Sequence, residues 1–523
     1  MKSKLILPFL LLISIVSFSQ PALYWDRIND SSSYTRLNRF GSMITDRGGN
    51  IYLLCQEQGN NPSGCYESFI TKYDQLGNFQ WTVQDTTAIY NSFITDNSGN
   101  LYLCGQSNDT GVNIKAITSK YTTSGGRVWV KQYNNNTLNN SLLLLNSSLY
   151  TIGTTSTNTG SELLILEYSL NGTLQMTKSD SLGNAYTTGS LIVTDGNALY
   201  ISGQTGTSAY VTYLAKYDQN ANQIWLNKDS FLSQLPSAIT ISSDTYVYFT
   251  LGASGSFANT LLNKLDSSGH FLWRFQVPND ITSPPGIGRA VLDSKNNVII
   301  GGGAGNSNCP IDPSPGAYLA RLRPNGDTVF QYLNTYCDSR VWGYTLQDDD
   351  HIIAYGTIRD SVMELAAFDS LGHILWDIPL TFLNVGLWGG NVAVDSGNNI
   401  ILGLASEYNN PQYDTTPLYR KIFIEARKYG NKLISGIEEI NNNADLKVFP
   451  NPAKDQIHIV YSSGSIISTE LMNIDGKKVN TQNILVSTTG EQNINVNNLA
   501  KGIYILRITT DKSKQATFKV IIE

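Results

Sequence analysis

The sequence predicts an all-β protein: an eight-bladed β-propeller closed by its N-terminal strand, followed by a small C-terminal Ig-like β-sandwich. Three observations carry this. A unit of about fifty residues recurs eight times between Met43 and Gly430, and a period of that length specifies a ring of similar sheets. Each unit reads as four short strands separated by turns rich in Asp, Gly and Asn. The eighth unit lacks its fourth strand, and a segment that fits the gap stands near the N-terminus.

The first turn of the unit reads Asp46-Arg-Gly-Gly-Asn50 and returns as Asp96-Asn-Ser-Gly-Asn100, Asp293-Ser-Lys-Asn-Asn297 and Asp395-Ser-Gly-Asn-Asn399, each followed by an apolar run. Asp first and Gly or Asn later is hairpin chemistry, because those residues accept the positive φ a tight turn needs. The third strand repeats as Ile-Thr-Lys-Tyr73, Leu-Ala-Lys-Tyr217, Leu-Asn-Lys-Leu265 and Leu-Ala-Ala-Phe368, with weaker copies at Tyr121, Tyr168, Leu322 and Tyr429. The fourth carries Trp81, Trp129, Trp225, Trp273 and Trp376, flat side chains suited to packing between sheets; units three and six lack the tryptophan.

After Tyr429-Gly430 the eighth unit stops, and Ala22-Leu-Tyr-Trp25-Asp-Arg-Ile28 has the composition of its missing strand. An open strand edge invites association, so a swapped strand from the other end of the chain is expected to close the ring. A seven-bladed ring with one stray hairpin is the architectural alternative.

Composition bounds the function. The chain has 523 residues, 41% of them hydrophobic and 15% charged, as in folded globular proteins. Its net charge is 36 − 42 = −6, with no basic cluster outside the N-terminus, which argues against nucleic-acid binding. Lys2 and Lys4, an apolar run from Leu5 to Val16 and Ser17-Phe-Ser19 read as a signal peptide over residues 1–19. That run is too short to span a bilayer, and no membrane span is expected. The organisation expected is therefore a signal peptide at 1–19, a propeller at 20–430, a linker at 431–443 and a β-sandwich at 444–523.

Five cysteines in an exported chain permit disulfides. Cys55 and Cys65 bracket one loop between second and third strands. Cys309 lies in the corresponding loop of unit six, and Cys337 in the connection that leaves it. The expected pairs are Cys55 with Cys65 and Cys309 with Cys337, leaving Cys104 buried and free; five unpaired thiols are the alternative.

The tail carries four motifs in order over about eighty residues: Val448-Phe449-Pro450-Asn451-Pro452, Leu471-Met-Asn-Ile-Asp-Gly476, Leu499-Ala-Lys-Gly502-Ile-Tyr504, and Phe518-Lys-Val-Ile-Ile. In that combination the segment resembles the type A C-terminal sorting domain of the Bacteroidetes type IX secretion system. The resemblance implies an Ig-like sandwich that engages the outer-membrane translocon and is then cleaved, leaving its cargo released or anchored to surface lipopolysaccharide. The chain ends in Glu523, where such domains often end in a basic residue. Residues 22–430 resemble, in pattern only, bacterial repeat families of the SBBP or quinoprotein-like kind, and propellers host unrelated functions.

Catalytic signatures are missing. The sequence shows no nucleophile elbow, phosphate-binding glycine loop or zinc-ligand cluster, and no adjacent cysteines of the kind found beside a quinone cofactor, so no cofactor is expected. His270 and His373 occupy the same turn position in their units and read as surface residues. Asp348-Asp-Asp350 before His351 lacks the spacing of a calcium loop and reads as another hairpin turn. The Asp residues recur at equivalent places, which a side chain capping its own turn explains for every copy.

A ligand is most reasonably sought on the rim carrying the longest insertions, Ala304 to Gly316 in unit six and Ser406 to Leu418 in unit eight. Tyr408 and Tyr413 lie in the second of these, and Trp342 and Trp388 open units seven and eight near the same rim. Aromatic side chains there suit a glycan, peptide or protein partner; the competing reading packs both tryptophans between blades. A non-catalytic surface or secreted binding protein is expected, with an extracellular polymer hydrolase or lyase as the alternative.

Overall fold

The computed structural model describes residues 21–522 apart from 30–37, 59–65, 110–112, 208–209, 233–234, 253–260, 278–286, 305–315, 335, 337–338, 360–361, 381–385, 409–420, 431–445, 462–464, 474–478, 480–489 and 511–514. The chain divides into two compact units, Met1–Asn431 and Lys432–Glu523. The expected signal peptide at 1–19 and linker at 431–443 lie outside the described residues.

The first unit is a ring of eight blades, of which the third and fourth are joined into one nine-stranded sheet by the parallel pairing of Ser161 with Tyr186. Blade 1 hydrogen-bonds Asn38–Thr45, Ile51–Gln58, Tyr66–Tyr73 and Phe79–Asp85 in chain order, and the later blades repeat this antiparallel meander. The innermost strands of blades 2 to 8 are Ala88–Thr95, Thr137–Leu145, Tyr186–Thr187 continued by Leu191–Thr194, Leu235–Ile241, Ile287–Leu292, Arg340–Leu346 and Gly386–Val394. Each packs on the next, and Gly386–Val394 packs back on Asn38–Thr45, so the circle closes at eight. The closing strand is the one expected: Ala22–Asn29 pairs antiparallel with Lys421–Gly430, Leu23 opposite Tyr429 and Trp25 opposite Lys428.

The aspartate turns close on themselves. Asp46 Oδ1 accepts the backbone N–H of Gly48 and Asn50, both at 2.9 Å, and Gly49 takes φ 74°. Asp96, Asp293 and Asp395 repeat the arrangement. In the second turn type, His270 and His373 stand fifth and set Nδ1 at 3.1 and 2.9 Å from Oδ2 of Asp266 and Asp369, the surface role expected of them.

Adjacent blades are locked by a three-residue device of which only the tryptophan was legible in the sequence. Trp81 Nε1 and Lys72 Nζ both donate to the carbonyl of Thr123 in the next blade, at 3.0 and 2.9 Å, and the Lys72 ammonium stands 5.2 Å from the Tyr52 ring centre. The same trio is Tyr102, Lys120 and Trp129 on Leu170, Tyr200, Lys216 and Trp225 on Ser267, and Tyr248, Lys264 and Trp273 on Pro324. The indole lies flat on the next blade's turn glycine: a Cβ on Gly125 would stand 2.9 Å from Trp81. The lock therefore combines apolar stacking with a cation–π contact and a hydrogen-bonded carbonyl.

The innermost strands share a second feature, a β-bulge. The ladder slips by one residue at Gly41, Asn91, Ser237, Gly288 and Trp342, each time between the fourth and fifth residues of the neighbouring strand, and at Asn140 between the fifth and sixth. Blade 4 breaks its strand at the same level, between Thr187 and Leu191. In blade 8 the slip falls at Trp388, two residues nearer the strand's start, opposite Ala405 and Ser406. A bulge crowds its partner strand, and glycine often answers: a Cβ on Gly105 would sit 2.0 Å from the carbonyl oxygen of Ile89.

The expected Cys55–Cys65 bridge does not form. Cys55 is a free thiol buried among Met43, Leu53, Tyr73 and Ile401, because the strand alternation that places Leu53 in the core between blades 1 and 8 places Cys55 there too. Burial pushes its thiol up to about 12. Cys104 is buried and free, as expected. Cys65, Cys309 and Cys337 lie outside the described residues.

The C-terminal unit is a β-sandwich. One sheet orders Leu446–Phe449, Gln456–Tyr461 and Glu491–Asn495; the other orders Ile466–Asn473, Gly502–Thr510 and Gln515–Ile522. Ile457, Ile459 and Ile494 from the first meet Leu471, Leu506, Ile508 and Val520 from the second in one core. About seven strands were expected, and six are present among the described residues.

Candidate ligand site at the channel mouth

The innermost strands wall a central channel. Each is hydrogen-bonded to the second strand of its own blade and packs on the innermost strands of the neighbouring blades. Each begins at the rim that carries the loops between second and third strands and ends at the turn on the opposite rim. The bulges lie toward the first rim. Bulge residues of blades 2 and 3 reach sideways: Asn91 Nδ2 donates to the carbonyl of Asn139 at 2.9 Å, and Asn140 Nδ2 to that of Gly189 at 2.6 Å.

Trp342 occupies the equivalent position in blade 7 and is 44% exposed, while Val341 and Tyr344 beside it are buried. It is not a core packing residue. The neighbouring strand, Gly386–Val394, has glycine at 386, 389 and 390. Tyr344 turns the other way and donates its hydroxyl to the carbonyl of Arg289 in blade 6. Burial raises the Tyr344 hydroxyl's pKa, with the Arg289 charge opposing.

The charges on this wall have one sign. Across all eight innermost strands the only ionisable residues other than tyrosine are Arg39, Arg289 and Arg340. Arg289 and Arg340 are exposed. Arg39 and Arg340 hold the same ladder height, opposite Gln56 and Thr357, in blades that flank blade 8.

Of the other aromatic residues singled out in the sequence, Trp388 and Tyr408 are placed by their backbones alone, at the bulge and at the end of Ile400–Tyr408; their side chains, and all of Tyr413, lie outside the described residues. No group of three metal-ligating side chains gathers among the described residues. The Asp348–Asp350 run is divided: Asp350 accepts the Ser294 N–H at 2.9 Å, and Asp349 pairs with His351 at 2.8 Å.

Buried carboxylates sit away from the channel in locking roles. Asp85 ends the fourth strand of blade 1 and accepts from the Tyr90 and Tyr121 hydroxyls at 2.7 and 2.8 Å. Burial opposes its charge, but these bonds and those from Thr87 outweigh it and hold the carboxyl below its usual range. Glu364, on the third strand of blade 7, is raised by burial despite Arg359, whose Nε donates to it at 3.1 Å.

In the C-terminal sandwich the sorting motifs converge. Phe449, 48% exposed, stacks on His458 with ring centres 5.8 Å apart, and Pro450, Asn451 and Pro452 are exposed. Asn451 Oδ1 accepts the Ile521 N–H at 2.8 Å, tying the first motif to the last. Gly502 opens the middle strand of the second sheet, and the buried Tyr504 donates to the carbonyl of Ala500 at 2.8 Å. Gly476 lies outside the described residues.

No curated protein matches this chain. Among solved structures, the Dos1 propeller is similar at 10% identity over 76% of this chain and 95% of that one, with a TM-score of 0.48. The WD40 domain of SCAP from fission yeast gives 9%, 77%, 98% and 0.42. The β-propeller domain of the Trilobed protease from Pyrococcus furiosus gives 9%, 66%, 100% and 0.38. The family model of the secretion system C-terminal sorting domain matches residues 447–523, the stretch that carries the four motifs. Residues 447–523 are a C-terminal sorting domain, and they direct the protein to export, at the cell surface or beyond it.

Proposed function

We propose that the propeller is a non-catalytic binding module that its sorting domain delivers to the cell surface or the medium, and that it takes its ligand at the channel mouth around blades 7 and 8. One observation carries this reading: Trp342 is 44% exposed on a strand whose neighbouring apolar side chains are buried. A large flat side chain held on a rigid strand at a concave mouth loses little entropy on binding and offers wide contact area. Hydrolysis or elimination would call for facing acid and base groups, whereas the innermost strands contribute arginine and no carboxylate or imidazole.

The test is a binding screen of the full exported chain against arrayed glycans and peptides, repeated with Trp342→Ala and Trp388→Ala. The reading expects at least one class of ligand to be retained without turnover and its retention to fall in both variants. Binding that ignores both substitutions, or chemical conversion of the retained ligand, overturns it.

A further inference from the structure

We propose that the rim of blades 3 and 4 carries a second binding site, a tyrosine platform for a neutral glycan chain of pyranose units. It lies on other blades than the mouth site of blades 7 and 8 and does not depend on that reading.

The platform arises where, among the described residues, two blades share one sheet. Blade 3 joins its second and third strands through Asn158 and Thr159 alone, and the third strand opens on Gly160. A Cβ on Gly160 would stand 1.7 Å from the carbonyl oxygen of Ala185, so glycine is what lets the start of blade 4 lie this close. The Ser161 N–H donates to that carbonyl at 2.8 Å, and Ser161 pairs in parallel with Tyr186. Tyr186 is thereby fixed in a row that crosses five strands: Ser156, Ser161, Tyr186, Gly206 and Tyr210, each paired with the next. Residues paired across a sheet set their side chains on one face.

That face is the outer one. Tyr186 and Tyr210 are 41% and 45% exposed, whereas Thr187 and Thr205, one residue along the same strands, are buried. The two rings meet edge to face with centres 6.3 Å apart and planes at 65°, across the position where Gly206 contributes no side chain. Long loops are also missing from these two blades. Their second and third strands are joined by two residues (158–159) and three (207–209), whereas every other blade uses six or more. Short connections leave the strand ends of this rim open to a ligand.

The chemistry of the row selects the ligand. Hydroxyls are its only polar side-chain groups, so nothing in it pairs with an ion. Polyproline docks between aromatic ridges that form a groove. Rings crossed at 65° leave instead one open face and one edge. An open phenol face covers the apolar face of a pyranose, while the other tyrosine hydroxyl and Ser156 reach the sugar's own hydroxyls. Ser161 donates its hydroxyl to the Thr187 carbonyl at 3.2 Å and so offers an acceptor. Neighbouring strands stand about 4.8 Å apart, close to the length of one pyranose unit, so successive sugars can follow the row strand by strand.

The experiment uses the full exported chain and isothermal titration with cellohexaose, hexagalacturonate and hexaproline. Cellohexaose should bind with an affinity that holds between about 0.05 and about 0.5 M salt, since no ion pair contributes. Hexagalacturonate should bind no tighter, and hexaproline more weakly. Tyr186→Ala and Tyr210→Ala should each cost at least about threefold in affinity at an unchanged melting temperature. Tyr186→Phe with Tyr210→Phe keeps the rings and should lose less than either alanine variant. Trp342→Ala should leave the cellohexaose affinity unchanged.

No binding of cellohexaose, an affinity that survives both alanine substitutions, or tighter binding of hexaproline or hexagalacturonate overturns the platform. Loss of cellohexaose binding in Trp342→Ala, with the tyrosine variants unaffected, places the sugar at the channel mouth; it rejects the platform and leaves the binding module standing. Should an alanine variant unfold, nitration of the parent chain decides. Saturating cellohexaose must then protect Tyr186 and Tyr210, and unchanged labelling of both rejects the proposal.

Discussion

Lys428 Nζ donates to the carbonyl of Gln75 at 2.9 Å, across 353 positions of sequence, while pairing with Asp395 Oδ2 at 2.7 Å. It is the blade 8 counterpart of Lys72, and it ties the last blade to the second turn of the first. Burial opposes charge on Asp395, but Lys428 and the Asn399 N–H outweigh it and keep the carboxyl below its usual range. Lys428→Met removes the cation and leaves a carboxylate in a site where both side chains are less than a tenth exposed. The expected cost is about 3 kcal/mol, read from urea unfolding of the full chain. A loss below about 0.5 kcal/mol, the scale of exposed ion pairs, would show that this contact does not hold the ring shut.

The period and the missing eighth strand were enough to read the ring and its closure from the sequence. Both depend on local chemistry: turn residues that must adopt positive φ, and strands that alternate. The locks were half legible. Trp81 and its copies announce packing, whereas the lysine in Ile-Thr-Lys-Tyr73 looks like an ordinary exposed strand residue until the next blade's carbonyl is placed above it. The bulges do leave a signal in the sequence, the glycine inside otherwise apolar strands at Gly105, Gly153, Gly203 and Gly356. Loop position alone suggests a Cys55–Cys65 pair, whereas strand parity decides which way a side chain points and turns Cys55 into the core.

Gly105 tests the bulge argument directly. Alanine there puts its Cβ 2.0 Å from the Ile89 carbonyl oxygen, and that atom belongs to backbone that cannot rotate away. Gly105→Ala is expected to destabilise the chain by about 2 to 4 kcal/mol, among the larger effects of one added methyl group. Gly48→Ala, where the nearest atoms are side-chain ends at 3.3 Å, should cost far less. Equal effects in thermal unfolding would mean that the bulge accommodates a side chain.

Acid should weaken the fold through the depressed carboxyls. Asp85, Asp96, Asp195 and Asp395 all have folded pKa values below the unfolded one, each by hydrogen bonds that outweigh burial. A group shifted in that direction contributes its stability above the unfolded pKa, about 3.9 for Asp. That contribution is lost as pH falls through the folded value. Glu364, raised by burial, acts in the opposite sense and gives back stability on protonation. The melting temperature should therefore hold between about pH 7 and 5 and fall below about pH 4. Asp85→Asn should be less stable at neutral pH and show a shallower acid fall, because Tyr90 and Tyr121 lose their ionised acceptor. An acid slope identical to the parent's would remove Asp85 from this account.

Cys55 and Cys104 make a test that separates a buried thiol from a bridged one. Both are unreactive in the folded chain by two routes, since strands cover them and burial pushes their thiol pKa upward, so almost no thiolate is present at neutral pH. Alkylation of the native chain without reductant should leave both unmodified. Alkylation in denaturant, still without reductant, should modify both completely, because unfolding removes the burial and needs no bond to break. Cys55 remaining unlabelled in denaturant until a reductant is added would mean it is bridged in the exported protein. In that case the strand Ile51–Gln58 would have to turn this side chain out of the core it shares with Met43 and Ile401.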